Sequence, residues 1–241
     1  MKKIWNSMLL LSSLVLLIGC SEAPPQKTDL YIYLDYTEGQ DYTERLAEDA
    51  DKFLQLMDIT EGNDRNYGSI RIYPIHDVAS ASSVNVKLKE GKSQFEGNKY
   101  LRQKELETFK QKLLDKAEAL NADYVGKPLK SSHIFHPLCK GIKKLNRSDA
   151  GRKLILVYSD MLENSEVANL HARQLKLEAL PTQFDNACGI EDLSDCEIFI
   201  VHPVDKKNDQ KIRQAAKFWE QYLTSKGLDG DYFHFEPSID I

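Results

Sequence analysis

The sequence predicts an open α/β fold, a doubly wound and mostly parallel central sheet with helices on both faces. Three observations carry that expectation. Two near-continuous apolar runs, "RKLILVYSD" (Arg152–Asp160) and "CEIFIVHPV" (Cys196–Val204), have the pattern of strands covered on both faces. Strand-like runs alternate with helix-period segments from Asp29 onward, the order that builds βαβ units. And the first and central strands both end in acid, at Asp35 and Asp160, where a buried strand itself requires none.

The elements follow in order. "LYIYLD" (Leu30–Asp35) alternates apolar and aromatic residues and is the first strand. A helix is expected over about Thr43–Met57, with Leu46, Ala50, Phe53, Leu54 and Met57 on one stripe. Asp41 and Glu44 have the spacing of a capping box at its start. "SIRIYPIHDV" reads as the second strand and "SSVNVKLKE" as its hairpin partner or an edge strand. After the polar linker "GKSQFEGNK" a helix runs over about Leu101–Leu120, and a shorter one over Phe135–Leu145. The span between Met161 and Cys196 is long for one connection and is expected to hold a helix over Glu166–Leu180. "IRQAAKFWEQYLTSKG" is an amphipathic helix with Gly227 as its stop, and "DYFHFEP" a last edge strand.

The start of the chain has a different character. Lys2 and Lys3 precede "MLLLSSLVLLIGC", an apolar run of signal-peptide length that is short for a spanning helix. Its end, Leu17-Ile18-Gly19-Cys20, resembles the bacterial lipobox, which implies cleavage before Cys20 and lipidation of that residue. Several acyl chains on one cysteine give stable membrane anchoring. Residues 1–19 are thus read as a lipoprotein signal peptide, 20–28 as the lipidated cysteine and a proline-bearing tether, and 29–241 as a single domain. The expected location is the cell envelope. Ser21 after the lipidated cysteine resembles an outer-membrane signal if the host is Gram-negative.

The formal charge is −5, and loss of Lys2 and Lys3 takes it to −7. So acidic a chain argues against nucleic acid as a partner. Of the remaining cysteines, Cys188 and Cys196 bracket "GIEDLSD" and form the candidate disulfide. Cys139 falls on the apolar side of its helix and is expected to be a buried free thiol.

In an open α/β sheet, ligands sit beyond the carboxyl ends of the strands. Three polar segments fall at such positions. They are "LDYTEG" after the first strand, "KSSHIFHPL" opening a helix, and "VYSDM" ending the central strand. Together they resemble the von Willebrand factor A (vWA) domain with its metal-ion-dependent adhesion site. That family places Asp-x-Ser-x-Ser after its first strand, a threonine in a later loop, and an aspartate after its fourth strand. The resemblance puts Asp35 and Thr37 on the first motif, Ser132 on the loop threonine and Asp160 on the last aspartate. Gly39 stands where the second hydroxyl would be, and Met161 where a glycine follows the last aspartate. What the resemblance implies is a magnesium ion held by Asp35, Thr37, Ser132 and Asp160, open to a carboxylate from a protein partner. With six oxygens to satisfy, magnesium readily keeps waters, so a lost hydroxyl can be replaced.

Two alternatives stand beside this one. The first is a metal-free vWA-like scaffold in an envelope or secretion assembly, with the same residues capping turns. The second is a phosphoester hydrolase, because "YLDYT" resembles the aspartyl-nucleophile motif of haloacid-dehalogenase phosphatases. That mechanism needs a second acid two residues on, where this chain has Thr37. His133 and His136 lie three apart without a third ligand and read as helix-start polar groups. The chain is therefore expected to bind and not to catalyse.

Overall fold

The computed structural model describes residues 24–75, 83–92, 97–127, 131–172, 179–204 and 207–240. The signal segment 1–19 and Cys20 lie outside the described residues. Among the described residues no helix is long and apolar enough to cross a membrane.

Among the described residues six strands form one sheet: β1 (Lys27–Asp35), β2 (Tyr67–Ile75), β3 (Val84–Leu88), β4 (Arg152–Tyr158), β5 (Cys196–Val201) and β6 (Phe233–Glu236). Their spatial order is β3-β2-β1-β4-β5-β6. Of these strands only β3 runs antiparallel, paired to β2; the other neighbours are parallel. The α-helices of the described residues are α1 (Thr43–Leu56), α2 (Lys99–Tyr124), α3 (Phe135–Leu145), α4 (Leu180–Cys188) and α5 (Asp209–Thr224). β1 begins at Lys27, two residues inside the segment expected to be tether, because Lys27 already pairs in register with Tyr67.

Alternation along the central strands splits the core in two. Leu30, Ile32 and Leu34 of β1, with Leu154 and Leu156 of β4, face one side and pack beneath Phe53 of α1 and Phe109 and Leu113 of α2. Tyr31, Tyr33, Ile155 and Val157 face the other, beneath Phe135 and Ile142 of α3, Phe184 of α4 and Trp219 of α5. Both faces of β1 and β4 are thus dry, which is why these strands read as unbroken apolar runs. From β1 the chain winds outward to β2 and β3, then returns to place β4 on β1's other flank. The strand order reverses there, so the β1–β4 crevice is the topological switch point.

Two sequence expectations fail at this level. The disulfide joins Cys139 to Cys188, and Cys196 is a buried free thiol. Loop length between Cys188 and Cys196 does not decide the pairing; helix packing does. Phe135 stacks on Phe184 at 4.2 Å, which sets α3 beside α4 and brings the Cα atoms of Cys139 and Cys188 within 6.3 Å. Cys196 opens β5, its sulfur turned to Asn146 at 3.8 Å.

The expected helix over Glu166–Leu180 is also absent over its described residues 166–172, and only its last residue, Leu180, is helical, as the start of α4. Residues 163–172 form a loop with isolated bridges Ser132–Asn164 and Asn164–Asn169, while 173–178 lie outside the described residues. Ser165 Oγ takes the Val167 N–H at 3.1 Å and Asn169 Oδ1 the His171 N–H at 2.9 Å. Side chains that capture nearby backbone donors in this way compete with helix formation. Among the described residues the helix of this region is α4, opening with Pro181 in its first turn.

Candidate functional site

The site is built at the carboxyl ends of β1 and β4. The two ends are stapled together by Tyr42, whose hydroxyl donates to the carbonyl of Asp35 at 2.7 Å and to that of Tyr158 at 3.3 Å. The loop after β1 is fixed from behind by α2. Asn121 accepts the Tyr36 hydroxyl and donates to Thr43 Oγ1 at 2.7 Å and to Asp41 at 3.2 Å. Asp41 accepts the Thr43 N–H at 2.8 Å, so it forms a local turn before α1 and not the expected capping box.

Asp35 is the hub and is only 7% exposed. Its Oδ1 accepts the Thr37 hydroxyl and, at 3.1 Å, the Thr37 N–H. Its Oδ2 accepts the Ser159 hydroxyl at 2.6 Å and the Ser132 hydroxyl at 3.4 Å. Asp160 borders the same cleft, its Oδ1 accepting the Leu162 N–H at 2.9 Å. The structure therefore brings Asp35, Thr37, Ser132 and Asp160 to one rim. Sequence reasoning passed over the Ser159 hydroxyl, although its place directly before Asp160 at a strand end was a usable signal.

Both departures from the family pattern have a backbone explanation. Gly39 sits at φ 69°, donating to the Tyr36 carbonyl at 2.8 Å and accepting from the Gly126 N–H at 3.1 Å. That left-handed turn suits glycine, so Gly39 serves the loop's shape. Met161 occupies φ 60°, the same region, where glycine would be at ease. It is held there by the Ser159 hydroxyl on its N–H at 2.9 Å, by Trp219 Nε1 on its carbonyl at 2.9 Å, and by full burial of its side chain.

Electrostatically the site is a buried acid, Asp35, beside a half-buried one, Asp160, at the edge of the cleft. Burial raises Asp35 above the usual carboxylate range, against the pull of the hydroxyls of Ser159, Thr37 and Ser132. Burial pushes Asp160 up to about 6, with the neighbouring Asp35 and Glu38 charges adding to it and the Leu162 N–H and His171 opposing it. A cation between them would remove the mutual repulsion. Among the described residues no group of three or more His, Cys, Asp or Glu could hold a metal. A cation here would therefore rest on two carboxylates, hydroxyls and water. That all-oxygen donor set suits magnesium or manganese and suits zinc poorly.

The rim opens into a cleft of about 740 Å³. Its walls include Arg45, Leu162, Asn164, His171 and His202. Arg45 is anchored by Nε to the buried Asp49 at 2.7 Å, and Asp49 also accepts Lys52 at 2.9 Å and the Tyr158 hydroxyl at 2.9 Å. His133 lies 3.9 Å from Glu166, while the Nδ1 of His136 is buried without a partner; the two do not converge on a common ligand.

The strand order, the parallel core with one antiparallel edge strand and the acid-bearing strand ends define an open, doubly wound α/β domain whose ligand edge is the β1–β4 crevice. No protein-family model matches the sequence, and no curated protein matches it either. Among solved structures, it is similar to the pilus adhesin SpaC of Lactobacillus rhamnosus GG at 12% identity and TM-score 0.44, over 91% of this chain and 29% of the adhesin. It is also similar to BatB of Bacteroides thetaiotaomicron, at 13% identity and TM-score 0.36, over 87% of this chain and 89% of that one. A third likeness is to the manganese-loaded TRAP protein of Plasmodium vivax, at 13% identity and TM-score 0.37, over 87% of this chain and 68% of that one. The chain thus spans under a third of the adhesin's length.

Proposed function

We propose that this chain is a protein-binding module of the cell envelope, lipid-anchored through Cys20, that engages its partner at the cleft through a magnesium-dependent adhesion site. The observation that carries the reading is the convergence of Asp35, Thr37, Ser132 and Asp160 on one rim at the switch point, with both carboxyls held above their usual range. In this reading the hydroxyls of Thr37 and Ser132 and the carboxylates of Asp35 and Asp160 would hold the cation. The ion would supply an electrophilic centre for a partner carboxylate, and the cleft would select what surrounds that carboxylate.

The direction of β1 supports the same role. It runs from Lys27 to Asp35, so the cleft stands about 27 Å of strand away from the strand's start, at the opposite end of the sheet. A lipid at Cys20 would then leave the cleft facing away from the membrane.

A second reading, the metal-free scaffold, is favoured by one observation: Asp35 already accepts three hydroxyls. Thermal melting separates the two. A cation that binds only the folded chain at a hundredfold excess over its Kd adds about 2.7 kcal/mol, a rise of several degrees in Tm. Magnesium or manganese is expected to give that rise in the wild type and none in Asp160→Asn. Pull-down from native membranes is expected to lose the partner on chelation. Absence of both effects would transfer the reading to the scaffold. Hydrolysis of a generic phosphoester is not expected, because Thr37 stands where the general acid would be.

A further inference from the structure

Helix α3 begins without a local cap: no side chain beside Ile134 accepts its first N–H groups. Such orphan donors need acceptors when the helix end is buried. The acceptor comes from 28 and 29 residues further along the chain. Glu163, fully buried, takes the N–H groups of Ile134 at 2.7 Å and Phe135 at 2.8 Å on one carboxyl oxygen. Its other oxygen takes the Ser165 hydroxyl.

The surrounding chain is fastened on every side. Ser132 and Asn164 exchange both backbone hydrogen bonds, at 3.0 and 2.8 Å, and the Leu170 N–H donates to the Glu163 carbonyl at 2.7 Å. α3 itself cannot drift, since Cys139 is bonded to Cys188 and Phe135 is stacked on Phe184. Leu162 and Asn164, on either side of Glu163, line the cleft. The loop that would meet a partner and the hydroxyl that faces Asp35 are therefore joined through one buried carboxyl.

We propose that Glu163 is the positioning residue of this site: by capping α3 from the cleft-wall loop it fixes Ser132 opposite Asp35, and so couples the partner-facing loop to the candidate cation site. The capping geometry stands by itself, and its consequence for cation binding rests on the reading in the previous subsection.

The test has a cation-free arm and a manganese arm. In the cation-free protein, Glu163→Ala is expected to speed amide hydrogen exchange at Ser132 and Phe135 about tenfold or more. Leu156, inside β4, should keep its wild-type rate. Glu163→Gln keeps an acceptor oxygen and should restore most of the protection. In the second arm Mn²⁺ alone is the probe. Glu163→Ala should weaken its binding about fivefold or more in the wild-type background. In a Ser132→Ala background it should cost nothing further, as expected for a residue that acts through Ser132. Wild-type exchange at Ser132 in Glu163→Ala would overturn the proposal. So would equal acceleration at Ser132 and Leu156, which would mark a general loss of stability. A Mn²⁺ penalty of the same size with and without Ser132 would overturn the coupling. Should Glu163→Ala fail to fold, Glu163→Asp, shorter by one methylene, takes its place with the same expectations. If the wild type binds no Mn²⁺, the adhesion reading fails, while the exchange arm still decides the clamp.

Discussion

At the scale of single residues, the two positions that break the family pattern are where backbone conformation outranks side-chain chemistry. Serine at Gly39 would restore the spacing of hydroxyls in the motif, yet the turn holds this residue at φ 69°. Gly39→Ser is therefore expected to lower stability by about 1 kcal/mol, from the left-handed strain of a residue with a Cβ, and to leave cation affinity unimproved. Denaturant titration with and without manganese checks this, and a tighter cation in the variant would refute it. Ser159 bears on Asp35 more closely than Ser132 does, at 2.6 Å against 3.4 Å. Its hydroxyl also holds the Met161 N–H. Ser159→Ala leaves a buried carboxylate and a buried N–H short of a partner and should cost about 1–3 kcal/mol. A loss under about half a kcal/mol would mean that water replaces the hydroxyl freely.

Elements bring a different kind of information. α3 and α4 are each amphipathic, but their mutual packing decides the disulfide. Closing a loop across 49 residues is worth about 4 kcal/mol in the chain-entropy account. Cys139→Ser with Cys188→Ser should lower stability by about that amount, whereas Cys196→Ser should spare the disulfide. Peptide mapping of the unreduced protein should recover Cys139 linked to Cys188. Recovery of Cys188 linked to Cys196 would instead support the pairing expected from loop length. Phe184 lies at the centre of this layer, fully buried and 5.2 Å from Trp219 and 4.2 Å from Phe135. Phe184→Ala is expected to cost about 3–5 kcal/mol, since it empties an aromatic site that neighbours cannot refill.

For the molecule as a whole, the buried acids set a pH dependence with a definite sign. Burial pushes Glu163 up to about 7 and Asp160 up to about 6, above the values they take in an unfolded chain. Between the unfolded and folded values the native state holds more protons than the unfolded state. Stability of the cation-free protein therefore falls as pH rises from about 4.5 to about 7. Carboxylates depressed by hydrogen bonds, such as Asp41 beside Thr43, act the opposite way but only at lower pH, near and below the ordinary aspartate range. Urea midpoints from about pH 4 to about pH 8 should show the decline, and Glu163→Gln should flatten its upper part. A midpoint that climbs steadily through this window would contradict the assignment.

Much of the architecture was written in local pattern. Period-two runs, near-continuous apolar strands and amphipathic stripes are short-range properties, so β1, β4, β5, α3 and α5 could be placed from the chain alone, as could the acids that close β1 and β4. Resemblance of three short segments singled out the four residues that the fold gathers on one rim.

Only the tertiary structure decided the partners of groups distant in sequence. Loop length misassigned the disulfide because it contains nothing about how α3 lies on α4. Connection length misplaced the helix after Asp160, because Ser165 and Asn169 divert backbone donors locally. Glu163 escaped notice altogether: a carboxylate that caps a helix 28 residues earlier leaves no spacing to read. The sequence by itself determined which stretches must be strand, which helix, and that two strands end in acid, because these depend on near neighbours. Which hydroxyls, thiols and helix ends those groups finally meet depended on the sheet being wound, since burial makes every polar atom find its partner among whatever the fold has brought within reach.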